Sequence, residues 1–292
     1  MTIYRSLLFI PANKIKWLEH LDQNITDAVI IDLEDSVPEY EKEQARKNVI
    51  HILEKFKDLT TLDIFVRINK DEDVFNKEDL EAVVRAGLTG VVLPKVDGPE
   101  EIDDLSKRLS YIEGQKNLGY KNVTILPILE TAKSIYSCLD IAKCERVIGI
   151  TGLSSKNGDV ERALGTQWSE NGLETLYLKS KIVLAARTAN VLAIGGLWQD
   201  VHNLEGLTKS ALFNRQLGYS GELILHPSNA EIINNIYSPS EEQVTYYQGL
   251  IDTFNIAKER GEATIMYDGS HIDLAHVKTA KEVLSLHNMM KN

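Results

Sequence analysis

The sequence is poor in staples and in long apolar runs. Two of its 292 residues are cysteine, Cys138 and Cys144, and they form no metal-type CxxC pair. Their number excludes a disulfide framework, so two reduced packing thiols in a cytoplasmic protein are expected. No run approaches the ~18 apolar residues of a transmembrane helix. The opening stretch MTIYRSLLFIPANKIKW has one short apolar patch, too short for a signal peptide and without a small-residue cleavage site. Positive charge is in deficit as well: 32 Lys and Arg stand against 43 Asp and Glu, a formal net charge of -11. That balance argues against a general nucleic-acid or anionic-membrane binder, though not against a locally basic site for an anionic substrate. The first apolar run ends in Phe-Ile-Pro-Ala-Asn without the glycines of a dinucleotide fingerprint, and the P-loop pattern is missing. No internal repeat, low-complexity tract or Pro/Gly-rich linker interrupts the chain.

What is present suits a globular α/β protein. Hydrophobic residues make up 43% and charged residues 26% of a chain long enough to bury a sizeable core. Eight short apolar runs recur: 6–11, 28–33, 64–68, 90–96, 123–129, 146–151, 191–197 and 222–226. Most are nearly continuous Val, Ile and Leu, the pattern of strands buried on both faces of a parallel sheet. Helical stretches lie between them. Pro38 to Phe56 carries Pro38 and three glutamates at its start, with Val49, Leu53 and Phe56 on its apolar face. Glu174 to Thr188 presents Leu176, Ile182, Val183 and Ala186. Eight strands alternating with helices predict a (β/α)8 barrel over residues 1–238, in preference to a doubly wound sheet. Residues 239–292 read as a C-terminal helical extension or lid rather than an independent domain.

In such a barrel the chemistry belongs at the C-terminal ends of the strands. Those ends carry Asp32, Glu34 and Asp35; Arg67; Lys95; Glu130; Asp159; and His226, while Arg5 precedes the first run. Glu130 and Asp159 are hard oxygen donors of the kind Mg2+ takes one or two at a time. With an arginine nearby, that set suits proton abstraction beside a carbonyl or carbon–carbon cleavage. Other readings accompany each residue. A charged residue ending a strand is often simply solvated at the rim. Asp32 and Asp35 suit a helix cap or a pair with Arg5. His226 before Pro227 suits a structural hydrogen bond better than a base. Lys95, among carboxylates, suits ion pairing better than a Schiff base.

The segments RSLLFIPANK, DAVIIDLEDSVPEYEKEQAR, FVRIN, GVVLPKV, LPILET, GDVERALG, LAARTANVLAI, LGYSGELILHPSNAEIIN and DGSHIDLAHVKTA follow one another across almost the whole chain. In this order they resemble the citrate lyase beta-subunit family, within the wider group of malyl-CoA lyases and metal-dependent aldolases. The resemblance implies a barrel that forms a homotrimer or hexamer and binds Mg2+ or Mn2+ and an acyl-CoA or oxo-acid substrate. By position, it makes Glu130 and Asp159 the metal ligands and Arg67 the residue holding the substrate carbonyl or carboxylate. Arg5, Asp35 and Lys95 complete the polar pocket, and Asp32 and Glu34 support it. Asp273 matches the aspartate that reaches a neighbouring subunit's site on a mobile segment. The expected activity is a carbon–carbon lyase or the reverse condensation through an enolate, with Asp35 or Asp273 moving the proton. A CoA-independent aldolase, a thioesterase-like hydrolase on the same metal site and a non-catalytic acyl-CoA or metabolite-binding paralogue are the alternatives. The chain departs from the family pattern at Ser154, Ser155 and Lys156, at Lys179 in place of an arginine, at Gly195 in place of an aspartate and at Asn229 in place of a glutamine. These departures point to a stand-alone paralogue with its own substrate. For CoA phosphates, Lys14, Lys16 and Arg46 are candidates by their position near the first loops.

Overall fold

The computed structural model describes residues 3–14, 16–22, 24–57, 62–71, 74–152 and 156–291. Eight parallel strands form one sheet: β1 (Ser6–Pro11), β2 (Ala28–Asp32), β3 (Asp63–Arg67), β4 (Gly90–Leu93), β5 (Thr124–Pro127), β6 (Gly149–Thr151), β7 (Leu192–Gly195) and β8 (Gly221–Ile224). Their order around the sheet is β5-β4-β3-β2-β1-β8-β7-β6. The two ends meet: bridges link Ile125 to Val147 and Ile128 to Thr151, and Leu129 N–H donates to the Thr151 carbonyl at 2.6 Å. The sheet thereby becomes the predicted (β/α)8 barrel, and all eight apolar runs supply its strands.

Side chains on a strand alternate between two faces. One set faces the lumen and packs as a single cluster containing Leu7 and Phe9, Ala28 and Ile30, Phe65, Val92, Leu126 and Ile128, Ile194 and Leu223. The other set, including Leu8, Ile10, Val29, Ile31, Ile64 and Val66, is also buried, because parallel strands carry helices on the outer face. Continuing the lumen set by two residues on each strand brings Asp32 after Ile30, Arg67 after Phe65 and Glu130 after Ile128. The period of two therefore delivers these charges to one mouth.

The helices obey their apolar stripes. Glu39–Glu41 forms a single 3-10 turn, and Lys42–Phe56 continues as an α-helix burying Ala45, Val49, Ile52 and Leu53. Phe56 is half-buried instead, at the helix end, with the Lys55 ammonium 5.5 Å from its ring. Leu176–Ala189 buries Lys179, Ile182, Val183, Ala185 and Ala186, while Leu176 is half-buried. Gly152 sits at φ +152, where a Cβ would collide with the Leu129 carbonyl, so only glycine lets β6 leave the barrel this way. Cys138 and Cys144 are both free thiols. Burial pushes the Cys144 thiol up to about 11, which suppresses its thiolate.

The chain divides into two compact units, Met1–Asn234 and Asn235–Asn292. The second holds helices Glu241–Glu259 and Leu274–Lys291 with an antiparallel pair, Ile265–Tyr267 and Ser270–Ile272. Its core is Leu250, Phe254, Ile272, Val277 and Ala280. Ser240 and Gln243 form a capping box at the start of its first helix. Among the described residues, no helix is long and apolar enough to cross a membrane.

Candidate active site

Asp32 and Arg67 are direct neighbours in the register of β2 and β3. Their side chains therefore meet as a two-pronged pair, Arg67 Nε donating to Asp32 Oδ1 and Nη2 to Oδ2, both at 2.6 Å. Burial opposes the charge on Asp32, but Arg67 outweighs it and holds the carboxyl below its ordinary range. Asp32 also accepts from the backbone N–H groups of Glu34 and Ser36, which fastens the loop after β2. Glu34 Oε2 lies 2.7 Å from Arg67 Nη1, an ion pair without hydrogen-bond geometry. Glu34 Oε1 accepts from Lys95 Nζ at 2.5 Å. Burial raises the Glu34 carboxyl, and the Arg67 and Lys95 charges offset only part of that rise. The Phe9 ring stands 5.0 Å from the Arg67 guanidinium carbon. Two carboxylates and an aromatic face thus fix the arginine before any ligand arrives.

Lys95 adopts φ +50, a left-handed conformation uncommon outside glycine. Its carbonyl accepts from Lys70 Nζ at 2.6 Å, and its N–H donates to Glu130 Oε1 at 2.7 Å. This turn aims the lysine's backbone at one carboxylate and its ammonium at another.

Glu130 and Asp159 line one cavity of about 260 Å3, together with Asp35 and Arg67. Asp159 opens the short helix Asp159–Leu164 and pairs with Arg162. Burial first, then the charges of Asp159 and Glu34, pushes the Glu130 carboxyl up to about 7 against the Lys95 N–H and ammonium. Two hard carboxylates that resist sharing a small cavity as anions form a donor set that a divalent cation satisfies. Among the described residues, no group of three or more His, Cys, Asp and Glu side chains forms a fuller cage. A two-carboxylate site fits Mg2+, which usually keeps positions for water and substrate. Asp35 is exposed, lines the same cavity and lies 3.4 Å from Lys95 Nζ.

The barrel thus gathers Asp32, Glu34, Asp35, Arg67, Lys95, Glu130 and Asp159 at one end. Arg5 is a correction. It precedes β1, so a strand of six residues, roughly 20 Å, separates it from the mouth. There it clamps Asp27, Nε to Oδ2 at 2.9 Å and Nη2 to Oδ1 at 2.6 Å. Asp273 belongs to the second unit and caps the helix after it: its carboxylate accepts from Ala275 N and His276 N and pairs with His276 Nδ1 at 2.7 Å. His226 accepts from the Ser228 N–H, the structural role expected of it. The fork of Arg46 is occupied by Glu78 and Asp79, while Lys14 and Lys16 are exposed. Asn229 is buried and donates to the Val201 carbonyl. Ser154 and Ser155 lie outside the described residues, and the Lys156 ammonium stands 5.1 Å from the Trp168 ring.

Three contributors escaped the sequence reading. Phe9 holds Arg67, and Leu197 and Gln199 line the cavity from the loop after β7. Phe9 shares the lumen face with Leu7, so the period of two was the signal that placed it. Gly195 also has a structural explanation: a Cβ there would collide with the Glu222 carboxylate, its register neighbour on β8. That carboxylate is buried and accepts from Asn214 Nδ2 at 2.8 Å, so it faces the helices rather than the lumen.

A closed parallel barrel whose carboxyl-end rim gathers carboxylates, an arginine and a lysine over a small cavity is the architecture of a (β/α)8 enzyme. Residues 5–227 match the HpcH/HpaI aldolase/citrate lyase family, and the chain belongs to that family of carbon–carbon lyases. It is 31% identical over 284 residues to citrate lyase subunit beta of Escherichia coli K12, covering 96% of this chain and 92% of that one. It is 27% identical to the mitochondrial citramalyl-CoA lyase of Rattus norvegicus, covering 98% and 87%. Among solved structures it is similar to CitE of Mycobacterium tuberculosis in complex with magnesium, acetoacetate and coenzyme A, at a TM-score of 0.73 and 25% identity over 98% of both chains.

Proposed function

We propose that the chain is a Mg2+-dependent carbon–carbon lyase, with Mn2+ able to serve, that cleaves or forms a bond in a 3-hydroxyacyl-CoA or related oxo-acid substrate through an enolate. The observation that carries this reading is that Glu130, Asp159 and Arg67 line one small cavity together. Glu130 and Asp159 are assigned to the metal, which when bound polarises the substrate carbonyl. Arg67 keeps N–H groups for a substrate carboxylate or enolate oxygen, and its rigid mounting means little reorganisation as charge develops. Lys95 holds Glu34 and Glu130 in place and adds positive potential at the rim. Asp35, with its carboxylate in the cavity wall, is assigned to move the proton. Asp273 is the second candidate for that role. Support for the magnesium and thioester assignments comes from CitE and the citramalyl-CoA lyase. We further assign a cytoplasmic location and a homotrimeric or hexameric assembly, the latter measurable by light scattering on the purified protein.

The test is titration of Glu130→Gln with Mg2+ by calorimetry, paired with turnover of candidate thioesters. Loss of metal binding and of turnover is expected. If both survive, the assignment is wrong. A second reading has one observation in its favour. About 260 Å3 is small for a ligand site and accommodates a small oxo acid on its own. A CoA-independent aldolase would fail to be retained on immobilised CoA, whereas the leading reading expects salt-resistant retention.

A further inference from the structure

A second pocket, of about 510 Å3, is lined by the segment before helix Leu176–Ala189, by Lys179 of that helix, by Trp198 and by helix Leu204–Leu217. Trp168, Trp198 and Phe213 line it with Lys179, Lys209, Glu170 and Glu174. The Leu197–Gln199 segment separates it from the cavity described above: Leu197 and Gln199 line that cavity, and Trp198 between them lines this pocket. We infer that this pocket is a second ligand site that takes a planar ring carrying an acidic oxygen group.

Lys179 is the first reason. It is only 6% exposed, and among the described residues its ammonium makes no hydrogen bond and no ion pair within 4 Å. The Phe213 ring centroid stands 5.6 Å from Nζ. It stands in the first turn of a 14-residue helix, whose positive end disfavours a cation. Glu222 and Glu174 draw on its charge, yet burial prevails and lowers its pKa. Neither acid is free to neutralise it fully, because Glu222 accepts from Asn214 and Glu174 is tied to Ser169. A buried ammonium in this setting gains most from an anion that enters the pocket.

Trp198 is the second reason. Its Nε1 is buried and has no hydrogen-bond partner among the described residues. Buried indole donors usually find an acceptor, so this one has capacity to spare. Its benzo ring packs on Gly206, where a Cβ would collide with it, which fixes the indole plane. Two indoles and a phenyl ring in one lining favour a flat partner. The volume falls within the range of small-molecule sites. Two sources supply this chemistry: a separate small molecule, or the nucleotide end of a thioester whose acyl end lies in the catalytic cavity. The second source rests on the function proposed above.

The test uses adenosine 5′-monophosphate as the probe, by calorimetry on the full-length protein. Adenosine supplies the ring without the acid, and inorganic phosphate the acid without the ring. Saturable binding of the monophosphate is expected, with each control at least about tenfold weaker. Lys179→Met should weaken binding by about tenfold or more, and Lys179→Arg, which keeps the charge, by only a few-fold. Trp198→Phe retains a ring in the wall and removes the donor, and should weaken binding several-fold. It also carries the test if Lys179→Met fails to fold. No saturable heat at millimolar probe, or unchanged affinity in both variants, overturns the inference. Glu130→Gln should bind the probe normally, so a failed metal assignment and a failed pocket are told apart. Competition by acetyl-CoA assigns the pocket to the substrate's distal end, and simultaneous binding assigns it to a separate small molecule. Either result requires the pocket to bind.

Discussion

The Glu130 carboxyl makes the metal assignment measurable as stability. Its ordinary value is 4.5, and burial with Asp159 pushes it up to about 7 in the fold. Between those pH values the metal-free folded state holds a proton that the unfolded chain has released. Stability therefore falls as pH rises through that window and levels off above it. A shift of this size corresponds to about 3 kcal/mol, trimmed to about 2–3 kcal/mol because the side chain is only half-buried. Glu130→Gln removes the penalty and keeps an acceptor for the Lys95 N–H. At pH 8 in EDTA the variant should exceed the wild type by about 2–3 kcal/mol, or roughly 4–6 °C in Tm. The two should converge near pH 5. Adding Mg2+ should reverse the order, because a ligand that binds only the folded state stabilises the protein that retains the site. Chemical denaturation across pH 5–9, with and without Mg2+, measures all of this. A variant less stable than wild type at pH 8 in EDTA, or one with the same pH slope, would refute the electrostatic account of the site.

Other outcomes follow from the same geometry. Arg67→Lys keeps the charge and loses the planar fork on Asp32, so kcat should fall by roughly 100-fold or more in a thioester-cleavage assay. Asp32→Ala strands the buried guanidinium and should cost about 3 kcal/mol in urea titration. Because Asp32 is held below its ordinary range, its contribution is present above about pH 4 and lost as pH falls through its folded value, so the gap to the variant should narrow in acid. Gly195→Asp should destabilise by about 1–3 kcal/mol without raising activity, since the new side chain meets Glu222, and a gain in turnover would show that β7 orients it into the lumen. Asp273→Ala should cost about 1 kcal/mol through its lost cap and leave kcat unchanged if Asp35 moves the proton, whereas a 100-fold fall in kcat would transfer that role to Asp273.

Much of this protein was legible in its sequence for a local reason. Continuous Val, Ile and Leu runs such as Ala28–Ile31 must be buried on both faces, and eight of them separated by helices close into a barrel. Strand direction then sends Asp32, Arg67, Glu130 and their neighbours to one end, because each follows a buried lumen residue by two positions. Arg5 is close in sequence to the first strand, but an arginine before a strand's start belongs to the opposite end of the barrel, where it meets Asp27. Register across strands made Arg67 the partner of Asp32 and set Glu222 over Gly195, and no spacing along the chain encodes either neighbour. The raised Glu130 carboxyl likewise depends on how deeply it is buried and on Asp159, which arrives from the next strand's loop. Which residues form strands, which face of each strand enters the lumen and which end carries the chemistry all follow from periodicity and chain direction. The ion-pair partners, the perturbed carboxyl and the aromatic pocket around Lys179 emerge from folding alone, because side chains far apart in sequence meet there where water is excluded.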